Sequence, residues 1–92
     1  MKRFVIERDI PSVGAMSGSE LCQAAAKSNS ALAELRGRAQ WVHSYVAANK
    51  TFCVYLAESE RDVHEHARLS GFPATKVTEI VGIIDPMTAT PR

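Results

Sequence analysis

Residues 40–57, QWVHSYVAANKTFCVYLA, decide the fold of this 92-residue chain. Residues 40–47 and 51–57 are two apolar runs, whose successive side chains point to alternate faces if they form strands. The AANK that joins the two runs places Asn49 at the tip of a turn. The stretch therefore predicts a β-hairpin in the middle of the chain.

The segment before the hairpin predicts a strand followed by a helix. Residues 3–10, RFVIERDI, are typical of a strand, which ends before Pro11. Ser17 and Glu20 have the spacing of a capping box, in which each side chain bonds the other residue's backbone amide. Gly37 is placed to end the helix that Ser17 opens.

The segment after the hairpin repeats this pattern in reverse order. A second helix is predicted from Ser59 to Gly71, because glycine readily adopts the left-handed conformation that ends a helix. Residues 76–85, KVTEIVGIID, predict a last strand, and 86–92 a loose tail.

The resulting order, βαββαβ, is that of the ferredoxin-like α+β fold. Right-handed crossovers place both helices on one face of a four-stranded antiparallel sheet with strand order 4-1-3-2. The chain is expected to form a single domain over 1–92, with an ordered core at about 3–85.

Two helices cover only one face of such a sheet. Strand parity turns toward the helices Phe4, Ile6, Val42, Val46, Phe52, Val54 and Leu56. The opposite face then carries Val5, Glu7, Trp41, His43, Tyr45, Cys53, Tyr55, Ile80 and Ile84. That face is too apolar to remain in water. It predicts a homodimer through the helix-free face, closed as a dimeric α+β barrel.

Composition excludes several classes of protein. A formal net charge of +1 disfavours a nucleic-acid binder. No apolar run approaches the ~20 residues that span a bilayer, and acidic residues interrupt the N-terminus before a signal sequence could form. A cytoplasmic protein is expected, with no membrane partner. Cys22 and Cys53 lack metal-type spacing and are expected to be free thiols.

The second helix contains the sequence HEH at 64–66. Two residues separated by two positions lie on nearly opposite sides of a helix, so His64 and His66 cannot chelate one ion. His64 is expected on the solvent side. His66 falls on the apolar arc, where it either bonds a backbone carbonyl as a core histidine or serves as a ligand or acid–base group.

Three stretches of the sequence resemble a small bacterial family of unknown function, some of whose members are described as nickel-binding. They are RFVIERDIP at 3–11, QWVHSYVAANKTFCVYLAESERDVHEHARLSGFPATKV at 40–77 and IIDPMTA at 83–89. The resemblance implies a ferredoxin-like fold assembled as a dimeric α+β barrel. It also implies a link to nickel or another divalent metal, without assigning ligands.

The first functional hypothesis is therefore a homodimeric metal-binding protein. His43, Glu7 and Cys53 share the predicted helix-free face and provide nitrogen, oxygen and sulfur donors. Imidazole suits nickel, copper and zinc. Whether the three donors converge depends on strand register.

The second hypothesis is a small-molecule binder or enzyme working inside the barrel. The candidate pocket residues are Glu7, Trp41, His43, Tyr45, Cys53, Tyr55 and His66. His43 would act as the acid or base, with Glu7 or Tyr45 orienting it. No phosphate-loop or dinucleotide motif is present, so no nucleotide cofactor is expected. An accessory dimer without a ligand is the third reading.

Overall fold

A computed structural model of the protein describes residues 1–90. The strands are β1 (Lys2–Asp9), β2 (Ala39–Val46), β3 (Lys50–Ala57) and β4 (Lys76–Ile80), and the helices are α1 (Gly18–Glu34) and α2 (Glu60–Ser70). Short 3-10 helices occupy Val13–Ala15 and Pro86–Ala89. All four strands are antiparallel, in the order β2-β3-β1-β4. The predicted ferredoxin-like arrangement is confirmed.

Local signals set the start of α1 and the end of α2 as the sequence predicts, whereas α1 ends at Glu34, before the predicted Gly37. The Ser17 hydroxyl accepts from the Glu20 amide at 3.1 Å, and the Glu20 carboxylate accepts from the Ser17 amide at 2.9 Å. These two bonds satisfy donors that the first turn of α1 would otherwise leave free. Gly71 closes α2 in the left-handed conformation, with φ of 78°.

The C-terminal strand is shorter than predicted. β4 ends at Ile80, and residues 81–85 form no strand. Ile84, predicted on the helix-free face of the sheet, lies beyond it and is 83% exposed. The predicted loose tail at 86–92 contains the exposed 3-10 helix, and its last two residues lie outside the described part of the chain.

The face assignment of β3 is wrong. Its buried residues are Thr51, Cys53, Tyr55 and Ala57, while Phe52, Val54 and Leu56 are only half-buried. Phe4 and Ile6 of β1 are buried as predicted and pair with Tyr55 and Cys53. These buried positions form the helix-covered face, so the more apolar set of β3 side chains lies on the helix-free face.

The pairing of β2 with β3 shifts at Val42. Trp41 pairs with Tyr55, whereas His43 pairs with Val54, so Val42 has no counterpart in β3. Residues three apart in a regular strand point to opposite faces. Here the Trp41 indole Nε1 donates to the Ser44 hydroxyl at 2.9 Å, because the shift returns both to the helix-covered face.

The loop after β1 packs against the hairpin turn. The Gly14 amide donates to the Ala48 carbonyl at 3.0 Å, and the Asn49 side chain accepts from the Ser12 amide at 2.9 Å. A Cβ at Gly14 would lie 2.7 Å from the carbonyl oxygen of Ala47. The absence of a side chain at Gly14 is what allows this close approach.

We predict that Gly14→Ala destabilises the fold by roughly 1–3 kcal/mol, because the hairpin backbone must move away from the new Cβ. Gly18→Ala is the matched control, since nothing lies within 4 Å of a Cβ at that position. Urea unfolding monitored by circular dichroism measures both variants. Equal stability of the two variants would contradict the close packing of this loop.

Candidate functional site

The helix-free face presents an exposed histidine near its edge. His43 follows the pairing shift, pairs with Val54, and makes no side-chain hydrogen bond among the described residues. The Tyr45 ring meets the imidazole edge-on, with centroids 5.0 Å apart and planes at 79°. The placement of His43 and Tyr45 on this face agrees with the sequence prediction, and both ring nitrogens are free for a ligand.

Glu7 occupies the same face but lies two strands from His43. Glu7 pairs with Phe52 of β3, and β3 separates β1 from β2. The Lys50 ammonium lies 3.5 Å from the Glu7 carboxylate. A single chain therefore carries a free imidazole and a lysine-paired carboxylate on this face, but the two groups lie too far apart to bind one ion.

Cys53, Trp41 and Tyr55 are corrections to the predicted site. All three lie on the helix-covered face, opposite to His43 and Glu7. Cys53 and Tyr55 are among the buried residues of β3. Trp41 pairs with Tyr55 before the shift and therefore shares its face. Across residues 1–90 no group of three or more histidine, cysteine, aspartate or glutamate side chains is close enough to hold a metal ion. The predicted donor trio does not converge within one chain.

A pocket of about 400 Å³ lies on the helix-covered face, between α1 and the sheet. Its lining is mostly apolar, and it includes Trp41, Cys53 and Tyr55, three of the predicted pocket residues. The sequence prediction placed these side chains in a pocket on the opposite face of the sheet. Glu7, His43, Tyr45 and His66 are not among the lining residues.

Arg8 is a pocket residue that the sequence prediction missed. It is 3% exposed, and its Nη1 donates to the Pro73 carbonyl at 2.9 Å. Its guanidinium carbon lies 5.9 Å from the ring centroids of both Tyr55 and Phe72. The sequence could have predicted its burial, because the strand alternation that turns Phe4 and Ile6 toward the helices also turns Arg8 toward them.

A chain of hydrogen bonds runs from the pocket wall into the core. The Tyr55 hydroxyl lies 3.0 Å from the Ser28 hydroxyl, which lies 3.2 Å from His66 Nε2. His66 Nε2 is also 3.3 Å from the Ser28 carbonyl. Because a carbonyl only accepts, this contact assigns the Nε2–H tautomer and leaves the buried Nδ1 without a partner. The prediction of a core histidine bonded to a backbone carbonyl is confirmed.

Burial favours the neutral forms of the two ionisable side chains in this series of hydrogen bonds, His66 and Tyr55. Burial, helped by the nearby Arg8 charge, lowers the pKa of His66, and the hydrogen bond to the Ser28 backbone opposes it. Burial raises the pKa of Tyr55, against the opposing effect of the Ser28 hydroxyl and Arg8. By contrast His64 is exposed beside Glu60, at 3.1 Å, as predicted for a surface position.

The sheet and helices define a ferredoxin-like α+β protein with one open sheet face and one pocket-bearing face. A family model, described as nickel responsive protein SCO4226-like, matches residues 4–80. The chain belongs to this family, which confirms the resemblance seen in its sequence. No curated protein matches the chain.

Among solved structures, the chain is similar to the crystal structure of SCO4226 from Streptomyces coelicolor A3(2). The TM-score is 0.73 at 14% sequence identity, and the match covers 89% of this chain and 99% of that chain. At this identity the likeness shows a shared fold. In the described residues 1–90, neither helix has the length and apolar character needed to cross a membrane.

We predict that wild-type protein loses stability as the pH falls from about 7.5 to 5.5, with a slope of at most about 1.4 kcal/mol per pH unit from His66. The unfolded chain takes up a proton near pH 6.5, whereas folded His66 stays neutral to lower pH, so acid favours unfolding. His66→Gln should flatten this dependence, and His64→Gln should retain it. Urea unfolding at several pH values tests this, and identical acid losses in wild type and His66→Gln would contradict it.

Proposed function

We propose that the chain is a nickel-responsive homodimer that binds the ion through His43 on the helix-free face. The observation that carries the proposal is the pairing shift at Val42, which leaves the His43 imidazole exposed and free of hydrogen bonds on that face. Imidazole nitrogen is a good ligand for divalent nickel. Membership in a family named for its response to nickel supports the choice of metal.

The dimer is supported by what the helix-free face presents to water. Val5, Phe52, Val54 and Leu56 are only half-buried in one chain, and Tyr45 beside them is 62% exposed. The segment that follows β4 adds exposed apolar side chains, at Val81, Ile83 and Ile84. A second copy related by a two-fold axis would cover an apolar face of this extent with its own equivalent face.

A metal site shared by two copies of the chain would have more ligands than one chain provides. His43 alone does not satisfy a nickel ion, and Glu7 lies two strands away beside Lys50. A two-fold axis doubles every donor on the face, so two copies of His43 become available to one ion. Cys53 has no part in this site, because it lies on the other side of the sheet.

The nickel-binding experiments below also test two alternative functions of this face. Acid–base catalysis by His43 has less support, because its neighbour Tyr45 meets it ring edge to ring and no enclosed cavity adjoins it among the described pockets. A dimer that binds no metal would be an accessory protein. A cytoplasmic location remains part of the proposal.

We predict that tag-free wild-type protein binds nickel with one ion per two chains, measured by isothermal titration calorimetry. His43→Ala should weaken binding by more than about tenfold, since even the outer hydrogen-bond partners of a metal ligand contribute that much. His64→Ala is the matched control, because it removes an exposed histidine from α2. It should bind nickel like wild type.

Two results would contradict the metal assignment. Unchanged binding in His43→Ala would place the ion elsewhere. An ion present at 100 times its Kd stabilises the folded state by about 2.7 kcal/mol, so bound nickel must raise the melting temperature. If nickel does not raise the melting temperature of a dimeric wild type, the protein is an accessory dimer without a metal.

We predict that Val54→Asp converts the dimer to a folded monomer, since it puts a charge at the centre of the helix-free face without touching the core. Ala26→Asp, at an exposed position of α1, is the control and should leave the dimer intact. Light scattering gives the mass and circular dichroism the fold. A wild type of 10.0 kDa in solution at micromolar concentration would contradict the dimer.

A further inference from the structure

Arg8 carries a buried charge that no acidic side chain neutralises. Its Nη2 is buried and has no hydrogen-bond partner, and no carboxylate in residues 1–90 lies within ion-pair distance of it. Its protein contacts are the Pro73 carbonyl and the faces of Tyr55 and Phe72. A buried cation is costly unless it is paired, so this guanidinium is suited to an anion from outside the chain.

The pocket beside Arg8 has room for such an anion. Its volume of about 400 Å³ lies in the lower part of the range for small-molecule sites, roughly 300–1,000 Å³. Leu21 and Val46 line it and are 39% and 48% exposed, so the pocket meets solvent between the first turns of α1 and the end of β2. A ligand therefore has a route into the pocket whose wall includes Arg8.

The lining restricts the rest of the ligand to apolar groups. Apart from Arg8, the polar side chains of the wall are hydroxyls, at Ser28, Ser44, Thr51 and Tyr55. The other lining side chains are apolar, and they include Val13, Met16, Leu21, Ala25 and Trp41. An inorganic phosphate or sulfate would lose its hydration here without gaining enough donors, since such ions are held by several cations or amides.

We infer that this pocket binds a small amphiphilic carboxylate, with its head group on Arg8 and its hydrocarbon part between α1 and the sheet. A planar guanidinium matches a planar carboxylate in shape and charge, and Nη2 provides the free donor. The Tyr55 hydroxyl in the same wall can accept from Ser28 and donate its own proton to the second carboxylate oxygen. No acidic side chain of the lining would repel the ligand.

This site is separate from the proposed nickel site. The pocket lies on the helix-covered face, and His43 lies on the helix-free face across the sheet. Loss of nickel binding in His43→Ala should leave carboxylate binding intact, so either proposal can fail while the other stands.

The test compares octanoate with 1-octanol, which shares its chain length and lacks its charge. Trp41, the one tryptophan of the sequence, lines the pocket and reports binding through its fluorescence. Octanoate should bind wild-type protein at least roughly tenfold more tightly than octanol, because a charge-assisted hydrogen bond is lost in the alcohol. Equal affinities, or no saturable fluorescence change with octanoate, would overturn the inference.

Three variants complete the test. Arg8→Gln should bring octanoate down to the affinity of octanol, and Arg61→Gln, at an exposed position of α2, should leave the preference unchanged. Ala25→Leu fills the pocket while keeping Arg8, so it should weaken both compounds and keeps the test valid if Arg8→Gln does not fold. Retention of the octanoate preference in folded Arg8→Gln, or of full affinity in Ala25→Leu, would overturn the inference.

Discussion

One unpaired residue, Val42, determines which side chains of β2 face each side of the sheet. Without it, Trp41, His43 and Tyr45 would lie on one face by simple alternation. With it, Trp41 turns toward the helices and bonds Ser44, while His43 and Tyr45 face the open side. The indole thereby becomes part of a pocket wall and the imidazole part of an exposed surface.

The helix-covered side of the sheet buries several polar side chains. Arg8, Ser28, Tyr55 and His66 are all buried there, and the first three line or adjoin the pocket. Small proteins bury a limited fraction of their surface, so interior room given to polar groups reduces the apolar core. The apolar set of β3 side chains lies on the open face instead, where burial against a second copy would add stability.

Most of the fold could be predicted because its signals are local. The capping box of α1, the glycine that ends α2 and the Asn49 turn each depend on a few adjacent residues, and all three appear in the structure. The ferredoxin-like order follows from the sequence of elements alone.

The faces of the sheet could not be predicted in the same way. Residues 52–56, FCVYL, are apolar at every position, so hydropathy does not choose between the two parities of β3. The choice depends on contacts made far along the chain, such as Ser28 with Tyr55 and His66. The shift at Val42 leaves no mark in the sequence, because valine is ordinary in a regular strand. Strand alternation from Phe4 and Ile6 predicts that Arg8 faces the helices, but a charged residue is not expected inside a core.

The central claim is that the two faces of one sheet carry two independent binding functions. Methyl-group NMR of a single sample, titrated with nickel and separately with octanoate, tests it most directly. The account predicts that nickel perturbs the methyl signals of Val54, which pairs with His43, and that octanoate perturbs those of Val13 and Leu21 in the pocket wall. Perturbation of the same methyl groups by both ligands would contradict it.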